Sequence, residues 1–111
     1  MHVYARWRAS GGTRTTSDFA KALAEAAAAA FPQRATASMA KSERGGRVFI
    51  DWSQNNASKT TVTPYSLRGR ERPFAAAPRG WDEIGGSGLR HLLMAEVLER
   101  LTEPDPLTAL L

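Results

Sequence analysis

The sequence predicts an α+β fold: a mixed or antiparallel sheet covered by an alanine-rich helix, with a second helix near the C-terminus. Three observations carry this. Residues 2–8 and 47–52 alternate apolar and polar side chains in steps of two, the period of a half-buried strand. Residues 17–31 repeat apolar side chains in steps of three and four, the period of a helix. The segments between them are short and rich in Gly, Pro and small polar residues, as turns are.

The first strand, residues 2–8, places Val3, Ala5 and Trp7 on one face and His2, Tyr4, Arg6 and Arg8 on the other. Residues 9–16 read as a loop, and Thr16 or Ser17 offers a cap for the helix that follows. That helix repeats Phe19, Leu23, Ala26, Ala27, Ala30 and Phe31 and ends at Pro32. Alanine is the best helix former, so the run 26–30 implies close packing on a sheet rather than a linker. Residues 36–39 read as a short strand and 42–46 as a turn. The strongest strand signal is 47–52, with Val48, Ile50 and Trp52 facing the core and Arg47, Phe49 and Asp51 opposite. Residues 53–59 form a polar loop. Residues 60–68 are β-prone, but Pro64 has no amide donor and points to an edge or bulge. Residues 69–80 are irregular, 81–84 make a short element, and a helix runs over 94–101, with a last helical turn at the C-terminus.

The chain has 111 residues, enough for one modest core, and is read as a single partial domain over 1–111. It has no cysteine, which removes disulfides, thiolate zinc sites and cysteine nucleophiles and fits a reducing cytoplasm. No apolar run reaches the ~18 residues of a membrane span. The formal net charge is +4, and its distribution is uneven. Residues 1–72 hold twelve Lys/Arg against five Asp/Glu, whereas 73–111 are net acidic. A basic excess of this kind fits polyanions, meaning nucleic acid or nucleotide phosphates, and equally fits a surface kept soluble by charge.

Asp51 stands out because aspartate is depleted in strands and here directly follows three apolar residues. A carboxylate at the end of a core strand suits a hard cation such as Mg²⁺ or Mn²⁺. Spacing alone favours the simpler role of capping the Ser-Gln-Asn-Asn turn. Gln54, Asn55 and Asn56 add neutral donors or, equally, turn chemistry. Arg68, Arg70 and Arg72 alternate, and the arginine fork matches phosphate oxygens. A solvated loop explains them as well. His2 shares a face with Arg6; His91 has less to recommend it. There is no Walker loop, Gly-x-Gly-x-x-Gly, zinc signature or Gly-x-Ser-x-Gly.

Residues 41–70, Lys-Ser-Glu-Arg-Gly-Gly through Val-Phe-Ile-Asp-Trp to Pro-Tyr-Ser-Leu-Arg, resemble the core of the polymerase domain of bacterial DNA ligase D, a member of the archaeo-eukaryotic primase superfamily. Met-His-Val-Tyr at 1–4 is similar to the end of that family's Ser-Gly-x-Lys-Gly-Leu-His-Val-Tyr motif, and Trp-Asp-Glu-Ile at 81–84 is similar to its closing segment. The resemblance implies a primase-like fold and template-directed nucleotide addition with Mn²⁺ or Mg²⁺ in non-homologous end joining. Expected partners are nucleoside triphosphates, DNA ends, Ku and a ligase domain or protein, at the nucleoid and not at a membrane. It also implies site roles: Asp51 as a metal-ligating carboxylate, with His2, Gln54 and Arg68 at the nucleotide's triphosphate. The family's Asp-x-Asp pair and the Ser and Lys before the histidine have no counterpart in 1–111. The chain is therefore expected to be the C-terminal part of the domain and inactive alone. The alternative is an accessory module that binds nucleic acid and makes no bonds.

Overall fold

The computed structural model describes residues 1–7, 13–69 and 71–110. They form two compact units, one of residues 7–61 and one of residues 1–6 with 62–111.

The first unit is built on helix α1, Thr13–Ala30. It begins four residues ahead of the expected start, so Thr16 and Ser17 lie inside the helix rather than capping it. The loop expected over 9–16 falls partly outside the described residues. Ala24 is fully buried and Ala20, Ala27 and Ala28 are half-buried, so the face that packs is the small one. It lies against strand β1, Ala35–Thr36, and the 3₁₀ turn Trp52–Gln54. Methyl-sized side chains let the helix backbone approach closely. The large side chains that the periodicity assigned to the core stay at least half exposed: Phe19, Leu23 and Phe31. Trp7 leans on Phe19, ring centroids 4.8 Å apart.

β1 pairs in parallel with β2, Val48–Phe49, with Ala35 opposite Val48 and Thr36 opposite Phe49. The expected six-residue strand thus shrinks to two residues, because β1 offers no longer partner. Its facing also differs: Val48 is 69% exposed, while Phe49, Ile50 and Trp52 are half-buried. Phe49 carries the Arg44 guanidinium over its ring at 4.0 Å, and the Trp52 indole donates to the Ala37 carbonyl at 3.4 Å.

The second unit is a three-stranded antiparallel sheet, β3 (Leu67–Arg68), β4 (Phe74–Ala75) and β5 (Leu92–Leu93), followed by α2, Met94–Arg100. Ala75, Leu92 and Val97 make its core. The β-prone run 60–68 enters the ladder only at its end. Residues 1–7 carry no strand; alternation alone does not make one where no ladder partner is supplied. The expected element at 81–84 is a 3₁₀ turn, Trp81–Glu83, and the last helical turn is 3₁₀ over Pro106–Leu110. No described helix is long and apolar enough to cross a membrane.

Glu83 ties this unit together. Its Oε1 accepts from Arg79 at 2.6 Å and Arg100 at 2.7 Å, and its Oε2 accepts the Gly80 amide at 2.9 Å. Desolvation raises its pKa, but the two guanidinium donors and the amide outweigh that and hold it at about 2. Because the folded value lies below the ordinary 4.5, the stabilisation is complete above pH 4.5 and fades as pH falls towards 2. Glu96, paired with Arg90 and accepting the Leu93 amide at 2.8 Å, titrates over the same window. Urea titrations are therefore expected to show stability falling from pH 4.5 to pH 2. Glu83→Gln should cost on the order of 2 kcal/mol at pH 7 and flatten part of that slope. An unchanged slope in the variant would contradict this role.

Candidate nucleotide site

Asp51 opens the 3₁₀ turn that ends the β2 segment, and there its carboxylate caps the turn. Oδ1 accepts from the Ser53 hydroxyl at 2.6 Å and the Ser53 amide at 3.1 Å, and Oδ2 accepts from the Gln54 side-chain amide at 3.3 Å. The Lys59 ammonium donates to Ser53 Oγ at 3.0 Å. The Ser53 hydroxyl contributes most to holding the Asp51 pKa below the ordinary carboxylate value; desolvation opposes it, and Gln54, the Ser53 amide and Lys59 add to it. The group is exposed and ionised at neutral pH. A carboxylate has about four lone-pair positions, and three are taken here. That leaves about one lone-pair position, on Oδ2, for a further partner. Ser53 and Lys59 are part of this constellation and were not legible in sequence: a serine and a lysine six residues apart in a polar loop carry no signal of a shared hydrogen bond.

Arg68 sits in β3, and the local backbone explains its position. Thr63, Pro64, Tyr65 and Ser66 make a turn closed by the Ser66 amide on the Thr63 carbonyl at 3.1 Å. Tyr65 has φ of +65°, a conformation that bulky L-residues rarely adopt. Two bonds lock it: Tyr65 N–H to the Ala76 carbonyl and Ala76 N–H to the Ser66 carbonyl, both 2.9 Å. The chain then enters the ladder with Arg68 opposite Phe74. Arg68 is exposed in the wall of an open hollow of about 550 Å³ lined by Val62, Leu67, Arg68 and Gly69. Arg70 lies outside the described residues.

His2 and Arg68 belong to one unit, Asp51 and Gln54 to the other. Within its unit Asp51 meets Gln54, and within the other His2 meets Tyr4, its Nδ1 3.5 Å from the phenol oxygen. Mg²⁺ or Mn²⁺ needs several oxygen ligands. Among the described residues no group of three His, Asp or Glu side chains gathers. Asp51 fits one ligand position of such an ion, and the described residues do not complete the site.

The sequence profile described as "LigD, primase-polymerase domain" matches residues 1–107. The chain is 50% identical over 109 residues to the multifunctional non-homologous end joining protein LigD of Mycolicibacterium smegmatis, covering 98% of this chain and 14% of that protein. It is 32% identical over 110 residues to the protein of the same name from Pseudomonas aeruginosa, covering 96% of this chain and 13% of that one. Among solved structures it is similar to the polymerase domain from Mycobacterium tuberculosis ligase D in complex with DNA, with a TM-score of 0.84 and 47% identity over 88% of this chain and 34% of that one. The chain thus spans about a seventh of its full-length relatives and a third of that polymerase domain.

Proposed function

Because the chain belongs to the LigD primase-polymerase domain family, we propose that it forms the nucleotide-binding part of a DNA end-joining polymerase. Template-directed nucleotide transfer is then the activity of the complete domain. The observation that carries this reading is Arg68, exposed at a shallow, open hollow and carried on a strand whose preceding turn is held by two backbone hydrogen bonds. A guanidinium offers donors only, in a fork that matches phosphate oxygens.

In this reading Arg68 and His2 donate to the triphosphate and Gln54 supports it from beside Asp51. Asp51 would give a Mn²⁺ or Mg²⁺ ion one of its carboxylate ligands, and the described residues supply no second one beside it. The relatives' names extend the reading to non-homologous end joining, and for that process we infer DNA ends as substrate and Ku and a ligase domain or protein as partners.

The test is equilibrium binding of a nucleoside triphosphate to the purified chain, run beside a templated extension assay on a gapped duplex. The expected result is weak binding that inorganic tripolyphosphate competes away, with no extension, since a single carboxylate does not hold two divalent ions against their mutual repulsion. Measurable extension, with contaminating polymerase excluded, would overturn the division of labour. DNA binding with no affinity for triphosphates would favour the accessory-module reading instead.

A further inference from the structure

The β3–β4–β5 sheet has two unlike faces. Ala75 and Leu92 are cross-strand partners and point into the core with Val97. Arg68 and Phe74 are likewise partners, so their side chains leave the opposite face together. On that side the Phe74 ring meets the His91 imidazole, centroids 5.7 Å apart and planes tilted by 52°. The Arg72 guanidinium lies over the same ring, 5.9 Å from its centroid. His91 and Arg72 are exposed and Phe74 is half-buried. Glu96, the carboxylate near Arg72, is neutralised by Arg90 at 3.0 Å. The result is an aromatic pair flanked by cations, with the phosphate-matching Arg68 as the next residue across the ladder.

We propose that Phe74 and His91 form a stacking platform for a nucleobase whose phosphate is held by Arg68. Aromatic rings interleaved with arginines suit this ligand, because every base offers a π-face and every nucleotide a phosphate. Cross-strand neighbours have Cβ atoms about 5 Å apart. That spacing lets a guanidinium and a ring contact the phosphate and base of one nucleotide together. The proposal rests on the phosphate role of Arg68 for its geometry and adds a base site to it.

The experiment compares fluorescence anisotropy titrations of the 111-residue chain at low salt with two oligonucleotides of equal charge, a decathymidylate and an abasic decamer. The expected result is tighter binding of the decathymidylate, by about 5- to 150-fold for one stacked base. His91→Ala and Phe74→Leu should each bring that ratio down towards one; His91 is exposed, so its variant carries the test even if Phe74→Leu disturbs the sheet. Equal affinity for the two oligonucleotides, or a ratio that neither variant changes, would overturn the base site and assign this face to packing against protein. Failure to bind either oligonucleotide would overturn the base site and the phosphate role together. If Arg68→Ala binds both as wild type does while the ratio persists, the phosphate role alone fails. Competition separates two sources of the same chemistry: displacement by thymidine triphosphate beyond that by tripolyphosphate marks a free nucleotide, and equal displacement by the two marks a strand.

Discussion

Asp51→Asn, in a polymerase domain reconstituted around this chain, should reduce nucleotide addition by more than about 100-fold and leave the melting transition nearly unchanged. The two readouts separate because the cap that Asp51 makes and the metal-ligand role proposed for it depend on different properties. As a cap, it needs oxygen acceptors for the Ser53 hydroxyl and amide. Asparagine keeps one such oxygen in the same place, and the Gln54 amide can turn to face the new donor. As a metal ligand, Asp51 needs charge, and a divalent cation stabilises the transition state by several kcal/mol, each 1.36 kcal/mol being a factor of ten. Removing the acceptor altogether with Asp51→Ala should add a stability loss of about 1 kcal/mol from the lost cap. Steady-state extension rates and thermal melts of the three proteins make the measurement. An Asp51→Asn domain with near-normal rates would show that the carboxylate only closes its turn.

The helices were legible because their signals are local. Alanine runs and the three-four period mark 17–31 whatever the rest of the chain does, and the structure has α1 over Thr13–Ala30. Which side of α1 packs was legible only in part: the close packing of the alanine run was expected and Ala27 and Ala28 do pack, but the large side chains were expected beside them. The pattern pointed to Phe19, Leu23, Ala26, Ala27, Ala30 and Phe31, yet of these only Ala27 lies on the side that packs, together with the alanines at 20, 24 and 28, since small side chains admit the close approach of β1 and the Trp52–Gln54 turn. The strands were harder still. Pairing is a property of two segments, and β4 and β5, two residues each, are too short to show a period. For the same reason His91 looked uninformative in sequence: its neighbour Phe74 is seventeen positions away and meets it through the β4–β5 ladder. Asp51 stands out in sequence as an acid closing an apolar run and Arg68 as one of three alternating arginines, and both roles were expected only from the family resemblance. The contacts that hold Asp51 in place belong to Ser53 and Gln54, and only the structure assigns them.

Arg68→Ala should raise the apparent KM for nucleotide in the reconstituted domain by about 10- to 150-fold, from the loss of a charge-assisted hydrogen bond worth roughly 1.5–3 kcal/mol. The fold should tolerate the change. Arg68 is exposed, its ladder bonds come from the backbone, and the turn before it is held by Tyr65 and Ala76 main-chain groups. A residue that grips the triphosphate equally before and during reaction shifts KM and leaves kcat nearly constant. Arg68→Lys tests the geometry: it keeps the charge but loses the planar fork, so it should recover part of the affinity and not all of it. A kcat loss in Arg68→Ala at unchanged KM would place the guanidinium on the reacting phosphate rather than on the bound nucleotide. Full activity in Arg68→Ala would leave Arg68 as a solvated arginine of β3.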